Sequence, residues 1–225
     1  MDYFFVSDRE WTINSFLKNR NRLTGNWSVI TTPNDLKAAL LTQSPRYIFF
    51  PHWSAIVPNE IVQKHTCICF HMTNLPFGRG GSPLQNLISK GFDETVLTSL
   101  RMTEIIDGGP IYKKDNLYLD GSARDVFDRM SNLAIEQMIY IIENNPRPTP
   151  QAKTDDEIFQ RLKPSDSEIL PSYDLDTLYN HIRMLDAPGY PRAFIKKEKL
   201  RFTFTNVEKD VQNDRLFARV EIKVS

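Results

Sequence analysis

The chain has 225 residues, of which 40% are hydrophobic and 25% charged, a composition typical of a globular protein with a sizeable core. Its 28 basic and 28 acidic residues cancel, and this balance disfavours a protein that binds a long nucleic acid through a basic stripe. No apolar run approaches the length of a membrane span and the amino terminus has no signal-peptide pattern, so we expect a cytoplasmic protein without a membrane partner.

The amino-terminal part alternates short apolar strands with amphipathic helices. The spacing predicts helices at residues 11–17 and 36–41, and strands at residues 3–6, 27–31, 47–50 and 66–70. This order predicts an α/β fold, in which a mostly parallel sheet forms the middle of three layers. The first strand-to-helix turn, Ser7-Asp8-Arg9-Glu10, contains no glycine, which disfavours NAD and FAD as ligands.

Next come a helix at residues 83–90, a strand at 94–102 and a long helix from Ser122 to about residue 143. The prolines of the segment Asn144-Asn145-Pro146-Arg147-Pro148-Thr149-Pro150 then end the helix, because each proline fixes φ and removes an amide donor. We therefore place a catalytic core at residues 1–145 and a small α+β appendage at 146–225, with a linker over 144–156. The appendage is predicted to contain a helix at 175–185 and strands at 200–205 and 216–224, the last with alternate apolar side chains facing inward.

Two cysteines, Cys67 and Cys69, lie two residues apart in an apolar stretch. On a strand both side chains project from the same face, which does not suit a disulfide between them. A metal site with His65 and His71 is conceivable, but this spacing has no tetrahedral precedent and no second ligand pair lies elsewhere. We expect structural cysteines and no bound metal.

His71 ends a buried strand and precedes a loop rich in proline and glycine, at the edge where parallel sheets place their ligands. A single histidine is more often structural than functional, so its neighbours decide. The run His71-x-Thr73-x-Leu75-Pro76-x-x-Arg79-Gly80-x-x-Pro83 resembles the motif of the folate-dependent formyltransferases, and Asp107-Gly108-Gly109 matches that family's second element. The resemblance covers roughly residues 45–145 and implies a Rossmann-like formyltransferase core that uses 10-formyltetrahydrofolate.

The resemblance assigns catalysis to His71, as the group that moves a proton, and to Asp107, as the carboxylate that orients its ring. The family has an asparagine two residues before this histidine, whereas this chain has Cys69, and a thiol is a weak hydrogen-bond donor. Two alternatives remain for the oxyanion donor. Either backbone N–H groups and His71 serve, or Asn74 supplies an amide.

Two further groups of residues follow from the resemblance. The loops expected to hold the formyl-folate contribute Phe50, Trp53, Ser54, Ile56, Met102, Thr103, Glu104 and Ile106, and Trp53 is alternatively plain core. Residues assigned to the acceptor substrate are Thr73, Arg79, Gly80 and Gly81. Of these, Arg79 either anchors a phosphate or shapes its loop.

The tail narrows the expected acceptor. Residues 158–166 and 178–194 are similar to the tail of the sugar N-formyltransferases, which implies a nucleotide-linked 4-amino-4,6-dideoxy sugar, UDP-linked as in the pseudaminic acid pathway. Arg183 would then face the diphosphate and Tyr190 would stack on the base, unless a core helix and a rigid turn explain them.

Other functions are weighed against the sugar transferase. The alternatives are a carrier-bound aminoacyl acceptor, a formyl-tetrahydrofolate hydrolase and an inactive binding protein. The methionyl-tRNA formyltransferases are discounted, because they carry a larger, basic carboxyl-terminal domain and this chain is neutral overall. A homodimer through the last strand is left open.

Overall fold

The computed structural model describes residues 1–153 and 157–224. The described strands are β1 (Asp2–Val6), β2 (Asn26–Ile30), β3 (Tyr47–Phe50), β4 (Cys67–His71), β5 (Arg79–Gly80), β6 (Glu94–Arg101), β7 (Ile111–Tyr118), β8 (Ile158–Phe159), β9 (Phe194–Lys197), β10 (Leu200–Asp210) and β11 (Arg215–Val224). The α-helices are α1 (Glu10–Lys18), α2 (Pro33–Leu40), α3 (Asn59–Lys64), α4 (Pro83–Ser89), α5 (Ala123–Asn144) and α6 (Leu175–Leu185), and 3-10 turns lie at Arg20–Arg22 and Pro164–Ser167.

The chain forms two compact units, and both are discontinuous in sequence. The first comprises Met1–Gly80, Thr95–Leu117 and Phe127–Ile158, and the second comprises Gly81–Glu94, Tyr118–Val126 and Phe159–Ser225. The division of the chain at residue 145 stays a prediction about domains. Residues 154–156 of the predicted linker lie outside the described residues.

The first unit is built on a six-stranded sheet in the order β2-β1-β3-β4-β6-β7. Strands β2, β1, β3 and β4 are parallel, and β6 is antiparallel to β4. All four residues of β3 are buried, as expected for a parallel strand covered on both faces. The α/β fold with a mostly parallel sheet is therefore confirmed. Because β3 and β4 run in the same direction, the loops that follow them start at the same edge of the sheet.

The second unit contains α4, α6 and a three-stranded antiparallel sheet in the order β11-β10-β9. Helix α6 has the predicted bounds, and its buried face packs near α4, where Gln85 Nε2 donates to the Met184 carbonyl at 3.2 Å. The predicted inward face of the last strand is wrong: Val220, Ile222 and Val224 are 43%, 57% and 79% exposed. Strict alternation shows that one face of a strand is apolar, but it does not show that anything covers that face.

Besides the two-residue strands β5 and β8, strands β7 and β9 were not expected from the sequence. Strand β7 carries Lys113, Lys114 and Asp115, which interrupt the apolar alternation, and this is tolerated because β7 is the edge strand of its sheet. Strand β9 is short, and of its residues only Phe194 is buried. Of the helices in the described residues, none is long and apolar enough to cross a membrane.

Candidate active site

The site is centred on His71, the last residue of β4, whose side chain is buried. Its Nε2 lies 2.8 Å from the Gly78 carbonyl oxygen, and its Nδ1 lies 3.6 Å from Asp107 Oδ2. A carbonyl oxygen accepts only, so Nε2 carries a hydrogen and the neutral ring has its lone pair on Nδ1. The nitrogen that can take up a proton is thus the one that faces a carboxylate.

Asp107 is held in a constrained loop. Its backbone has a φ of 52°, which is left-handed, and its Oδ2 accepts a hydrogen bond from the Gly80 N–H at 3.0 Å. A Cβ at Gly109 would lie 1.8 Å from the Arg101 carbonyl oxygen, so only glycine fits there. The loop after β6 and the loop after β4 are therefore joined at the carboxylate that faces His71.

Arg79 is turned toward protein groups. Its Nε and Nη2 donate to Gln151 Oε1 at 3.2 and 2.7 Å, and Gln151 Nε2 donates to the carbonyls of Asp107 and Gly109 at 2.8 and 2.7 Å. This placement favours the loop-shaping role for Arg79 over the phosphate anchor. Gln151 was missed, because it follows a proline-rich stretch that was interpreted as a linker.

Cys69 projects from the same face of β4 as His71. Its thiol donates to the Leu100 carbonyl, at an Sγ to O distance of 3.9 Å. Burial, followed by the charge of Asp107, raises the pKa of this thiol well above its ordinary value. The group in the place of the family's asparagine is therefore a neutral thiol, already directed at a backbone carbonyl.

Asn74 is exposed in the loop after His71. Its Oδ1 accepts a hydrogen bond from Lys114 Nζ at 2.6 Å, and the same ammonium donates to the Leu75 carbonyl at 2.5 Å. Lys114 lies on β7, a strand that the apolar pattern of the sequence does not predict. By fixing the amide oxygen, Lys114 directs the Asn74 NH2 group away from itself, which suits a donor to a ligand.

The two loops expected to hold the folate present a mixture of core and exposed apolar groups. Phe50 is fully buried, so only its backbone is available, and Trp53 and Met102 pack against the same apolar cluster. In contrast, Ile56 and Ile106 are 85% and 70% exposed. A flat pterin would cover such apolar side chains, and this surface fits the expected formyl-folate.

Polar groups of these loops already have partners within the chain. Ser54 Oγ accepts a hydrogen bond from Arg9 at 3.1 Å, Glu104 accepts one from Gln63 at 2.6 Å, and the Thr103 hydroxyl donates to the Ile105 carbonyl at 3.2 Å. These bonds hold the loops in shape. A folate role for the three side chains stays a prediction.

Three of the residues assigned to the acceptor shape the loop after β4 or pack close to it. Thr73 is fully buried, and its hydroxyl donates to the Gly78 carbonyl at 3.4 Å. Gly80 contributes the N–H that meets Asp107. A Cβ at Gly81 would lie 2.7 Å from Arg161 Cα, so this glycine permits a close approach of backbone. Their placement favours structural roles.

Arg183 and Tyr190 lie in the second unit. The Arg183 guanidinium is buried and donates to the carbonyls of Leu119 and Gly121, while its Nε donates to Asn180 Oδ1 at 2.8 Å. Tyr190 lies in a turn closed by its N–H and the Ala187 carbonyl at 3.2 Å. The core helix and the rigid turn thus account for both residues.

Comparisons with known proteins show similarity to the methionyl-tRNA formyltransferases. The model of the methionyl-tRNA formyltransferase C-terminal domain matches residues 164–223. The solved methionyl-tRNA formyltransferase from Clostridium thermocellum is 39% identical, has a TM-score of 0.90, and is matched over 100% of both chains. The methionyl-tRNA formyltransferase of Wolbachia pipientis subsp. Culex pipiens is 26% identical over 204 residues, which cover 83% of this chain and 67% of that protein.

A third similarity concerns the fold alone. HypX from Aquifex aeolicus, solved in complex with tetrahydrofolic acid, has a TM-score of 0.75 and 19% identity over 91% of this chain and 37% of that one. The chain spans about half to two thirds of the length of the curated relatives that it matches. The family's formyl donor is 10-formyltetrahydrofolate, as the sequence motif implied.

These findings overturn the assignment to the sugar N-formyltransferase branch, and with it the nucleotide-linked amino sugar of the pseudaminic acid type. The predicted roles of Arg183 in binding the diphosphate and of Tyr190 in stacking on the base depended on that assignment and are wrong as well. The expectation of a small-molecule acceptor and no nucleic acid is wrong for the same reason, since the relatives are named for a tRNA substrate.

The expectation of no nucleic-acid partner was wrong because it relied on the net charge of the whole chain, which does not describe the charge of any one part of the surface. Residues 192–224 contain nine basic and five acidic residues, so this segment carries an excess of positive charge that the rest of the chain cancels. A nucleic acid meets a local potential and not the sum over the whole chain. The chain is a folate-dependent formyltransferase and belongs to the methionyl-tRNA formyltransferase family.

Proposed function

We propose that this protein transfers the formyl group of 10-formyltetrahydrofolate to the amino group of methionyl-tRNA. The observation that carries the proposal is the pair formed by His71 and Asp107 in a chain that matches a methionyl-tRNA formyltransferase over its full length. When bound, the folate supplies the formyl group. The protein's own residues must then bind the acceptor, stabilise developing charge and move one proton.

His71 is suited to the proton transfer. The Gly78 carbonyl holds the hydrogen of Nε2, which leaves the Nδ1 lone pair as the base that accepts a proton from the acceptor amine. The Asp107 carboxylate, 3.6 Å away, stabilises the imidazolium that results and keeps the ring oriented. Neither role requires the Cys69 thiol.

The oxyanion donor is assigned differently from the family pattern. The Cys69 thiol is engaged with the Leu100 carbonyl, whereas the exposed Asn74 amide has its oxygen fixed by Lys114. We therefore assign the amide hydrogen bond to Asn74, together with backbone N–H groups of its loop. Ile56, Ile106, Trp53 and Met102 would hold the folate by apolar contact.

The acceptor assignment is supported by the basic carboxyl-terminal segment. Lys196, Lys197 and Lys199 are exposed at and beside the turn between β9 and β10, where they can neutralise phosphates. An aminoacyl-tRNA substrate would also place the enzyme in the cytoplasm, where translation takes place.

The test is formylation of methionyl-tRNA by the purified chain with 10-formyltetrahydrofolate, followed by mass spectrometry of the released aminoacyl group. We expect a mass gain of one formyl group, and a loss of about 10²- to 10⁴-fold in kcat for His71→Asn, because the proton transfer is removed. His65→Asn is the matched control and should retain activity. Formate release at the same rate with and without methionyl-tRNA would instead identify a hydrolase and refute the proposal.

A further inference from the structure

Gln151 makes four hydrogen bonds with groups that surround the catalytic pair. Its Oε1 accepts from Nε and Nη2 of Arg79, and its Nε2 donates to the carbonyls of Asp107 and Gly109. One amide group therefore joins the loop after β4, through Arg79, to the loop after β6, through the backbone on both sides of Gly108. Every hydrogen of its NH2 group is used.

The segment that carries Gln151 is itself anchored. The Thr149 N–H donates to the Ile111 carbonyl at 2.8 Å, and the Ile111 N–H donates to the Thr149 carbonyl at 2.7 Å. This pair of bonds fixes residue 149 beside the start of β7, two residues before Gln151. The first part of the predicted linker is thus a wall of the site and holds its amide at a defined position.

The loop that contains Asp107 has a backbone conformation that must be stabilised by neighbouring contacts. Asp107 has a φ of 52°, a conformation that costs free energy for a residue with a side chain and persists only where neighbouring contacts impose it. Gln151 bonds to the carbonyl of this same residue at 2.8 Å, so the contact lies at the strained peptide. If the peptide relaxed, the carboxylate would rotate away from His71 and from the Gly80 N–H.

We propose that Gln151 is a positioning residue, which acts on the reaction by holding the Asp107 carboxylate against His71. Its side chain bonds to the backbone carbonyl of Asp107 and acts on the Asp107 carboxylate and the His71 ring only through that backbone. The inference rests on the proposed function for its kinetic readout only, since the position of the loop is measurable without a substrate.

Two substitutions of Gln151 distinguish the hydrogen bonds made by its amide oxygen from those made by its NH2 group. Gln151→Glu keeps an acceptor for Arg79 but presents oxygen to the Asp107 and Gly109 carbonyls, whereas Gln151→Met removes both sets of bonds. Gln43→Met, at an exposed glutamine with one hydrogen bond to Ser28, is the matched control. For both Gln151 variants we expect kcat to fall about 10- to 100-fold and KM for both substrates to stay within about threefold, because misplacement affects the transition state more than binding.

A double-mutant cycle tests whether the effect passes through Asp107. In an Asp107→Asn background, Gln151→Met should lower kcat by less than about threefold further, since the carboxylate that it positions is already gone. Hydrogen exchange of the peptide covering residues 102–110 should be faster in both Gln151 variants, with the rest of the chain unchanged.

Each other result overturns the inference. Full additivity in the cycle, or a kcat within twofold of wild type, would show that Asp107 does not depend on Gln151. A uniform rise in exchange along the chain would show a general loss of stability instead of a local one. The exchange measurement needs no acceptor, so unchanged exchange in residues 102–110 refutes the positioning role even if wild-type protein makes no formyl-methionyl-tRNA, a result that would separately refute the proposed function.

Discussion

At the residue scale, His52 has a pKa that is set by its buried surroundings and that the sequence does not predict. It follows β3 with a φ of 55°, its Nδ1 accepts a hydrogen bond from Trp11 Nε1 at 3.4 Å, and its ring centroid lies 4.5 Å from that of Phe127. Burial between these rings, and then the charge of Arg9, lower the pKa of His52 from 6.5 to about 3. The sequence left this histidine unassigned.

The lowered pKa predicts a pH dependence of stability. Unfolded chains bind a proton at His52 below pH 6.5 and the folded protein does not, so the free energy of unfolding falls as the pH falls from 6.5 toward 3. Between pH 6.5 and 5 this group contributes a loss of about 1.5 kcal/mol. His52→Asn, which tolerates the positive φ, should remove that part of the decline in urea unfolding. An identical decline in wild type and variant would contradict the assignment.

His71 and Asp107 are indicated by different features of the sequence. The local motif after β4 identified the histidine, and spacing along the chain identified the aspartate. Neither gave the orientation of the ring, which depends on the Gly78 carbonyl, or the partner of the loop, which is Gln151.

At the element scale, α6 is fixed by the buried Arg183. Its guanidinium satisfies the carbonyls of Leu119 and Gly121, two groups in the connection before α5, and its Nε bonds to Asn180 one turn earlier in the same helix. An arginine suits this place, because its planar group donates in several fixed directions at once.

We therefore expect Arg183→Met to lower the free energy of unfolding by about 2–4 kcal/mol, since the buried Leu119 carbonyl loses its donor and the partly buried bond to the Gly121 carbonyl is lost with it. The free energy of unfolding of Arg183→Lys should lie between those of wild type and Arg183→Met, because an ammonium cannot reproduce the several fixed donor directions of the guanidinium. The exposed Arg147→Met is the control and should stay within about 0.5 kcal/mol of wild type in urea unfolding. A stable Arg183→Met protein with a raised KM would instead assign the residue to substrate binding.

The elements themselves were predictable to different degrees. Helix α6 and the buried strands β1 and β3 follow from apolar periodicity, because burial is what that periodicity records. Strands β7 and β9 do not, because a polar edge strand is held by backbone pairing and carries little apolar pattern.

At the scale of the whole molecule, the distribution of charge matters more than its sum. The chain is neutral overall, yet residues 192–224 have nine basic and five acidic residues. Binding of a polyanion depends on how many phosphates are neutralised locally, and each such contact makes the affinity fall with salt.

This distribution predicts a salt effect on the proposed reaction. Replacing Lys196, Lys197 and Lys199 together by alanine should raise KM for methionyl-tRNA about 10-fold without changing kcat, and should reduce the slope of log KM against log salt by about 0.7–0.9 per lost contact. The matched control replaces Lys18, Lys37 and Lys64, which are exposed in α1, α2 and α3. Equal effects in the two triple variants, or none in either, would show that the carboxyl-terminal segment is not the tRNA surface.

The amino-acid sequence is sufficient to predict the α/β fold, the approximate positions of most apolar elements and a formyl-folate donor, and its motifs single out His71 and Asp107, which lie 3.6 Å apart in the structure. These follow from periodicity and from a local motif, both of which are read along the chain. The hydrogen-bond partner of each polar side chain, in contrast, follows from the three-dimensional fold. Gln151 meets Arg79 and Asp107, Arg183 meets Leu119 and Gly121, and Cys69 meets Leu100, in each case across a long stretch of sequence. A hydrogen bond depends on distance and angle in space, and no pattern along a single chain records those.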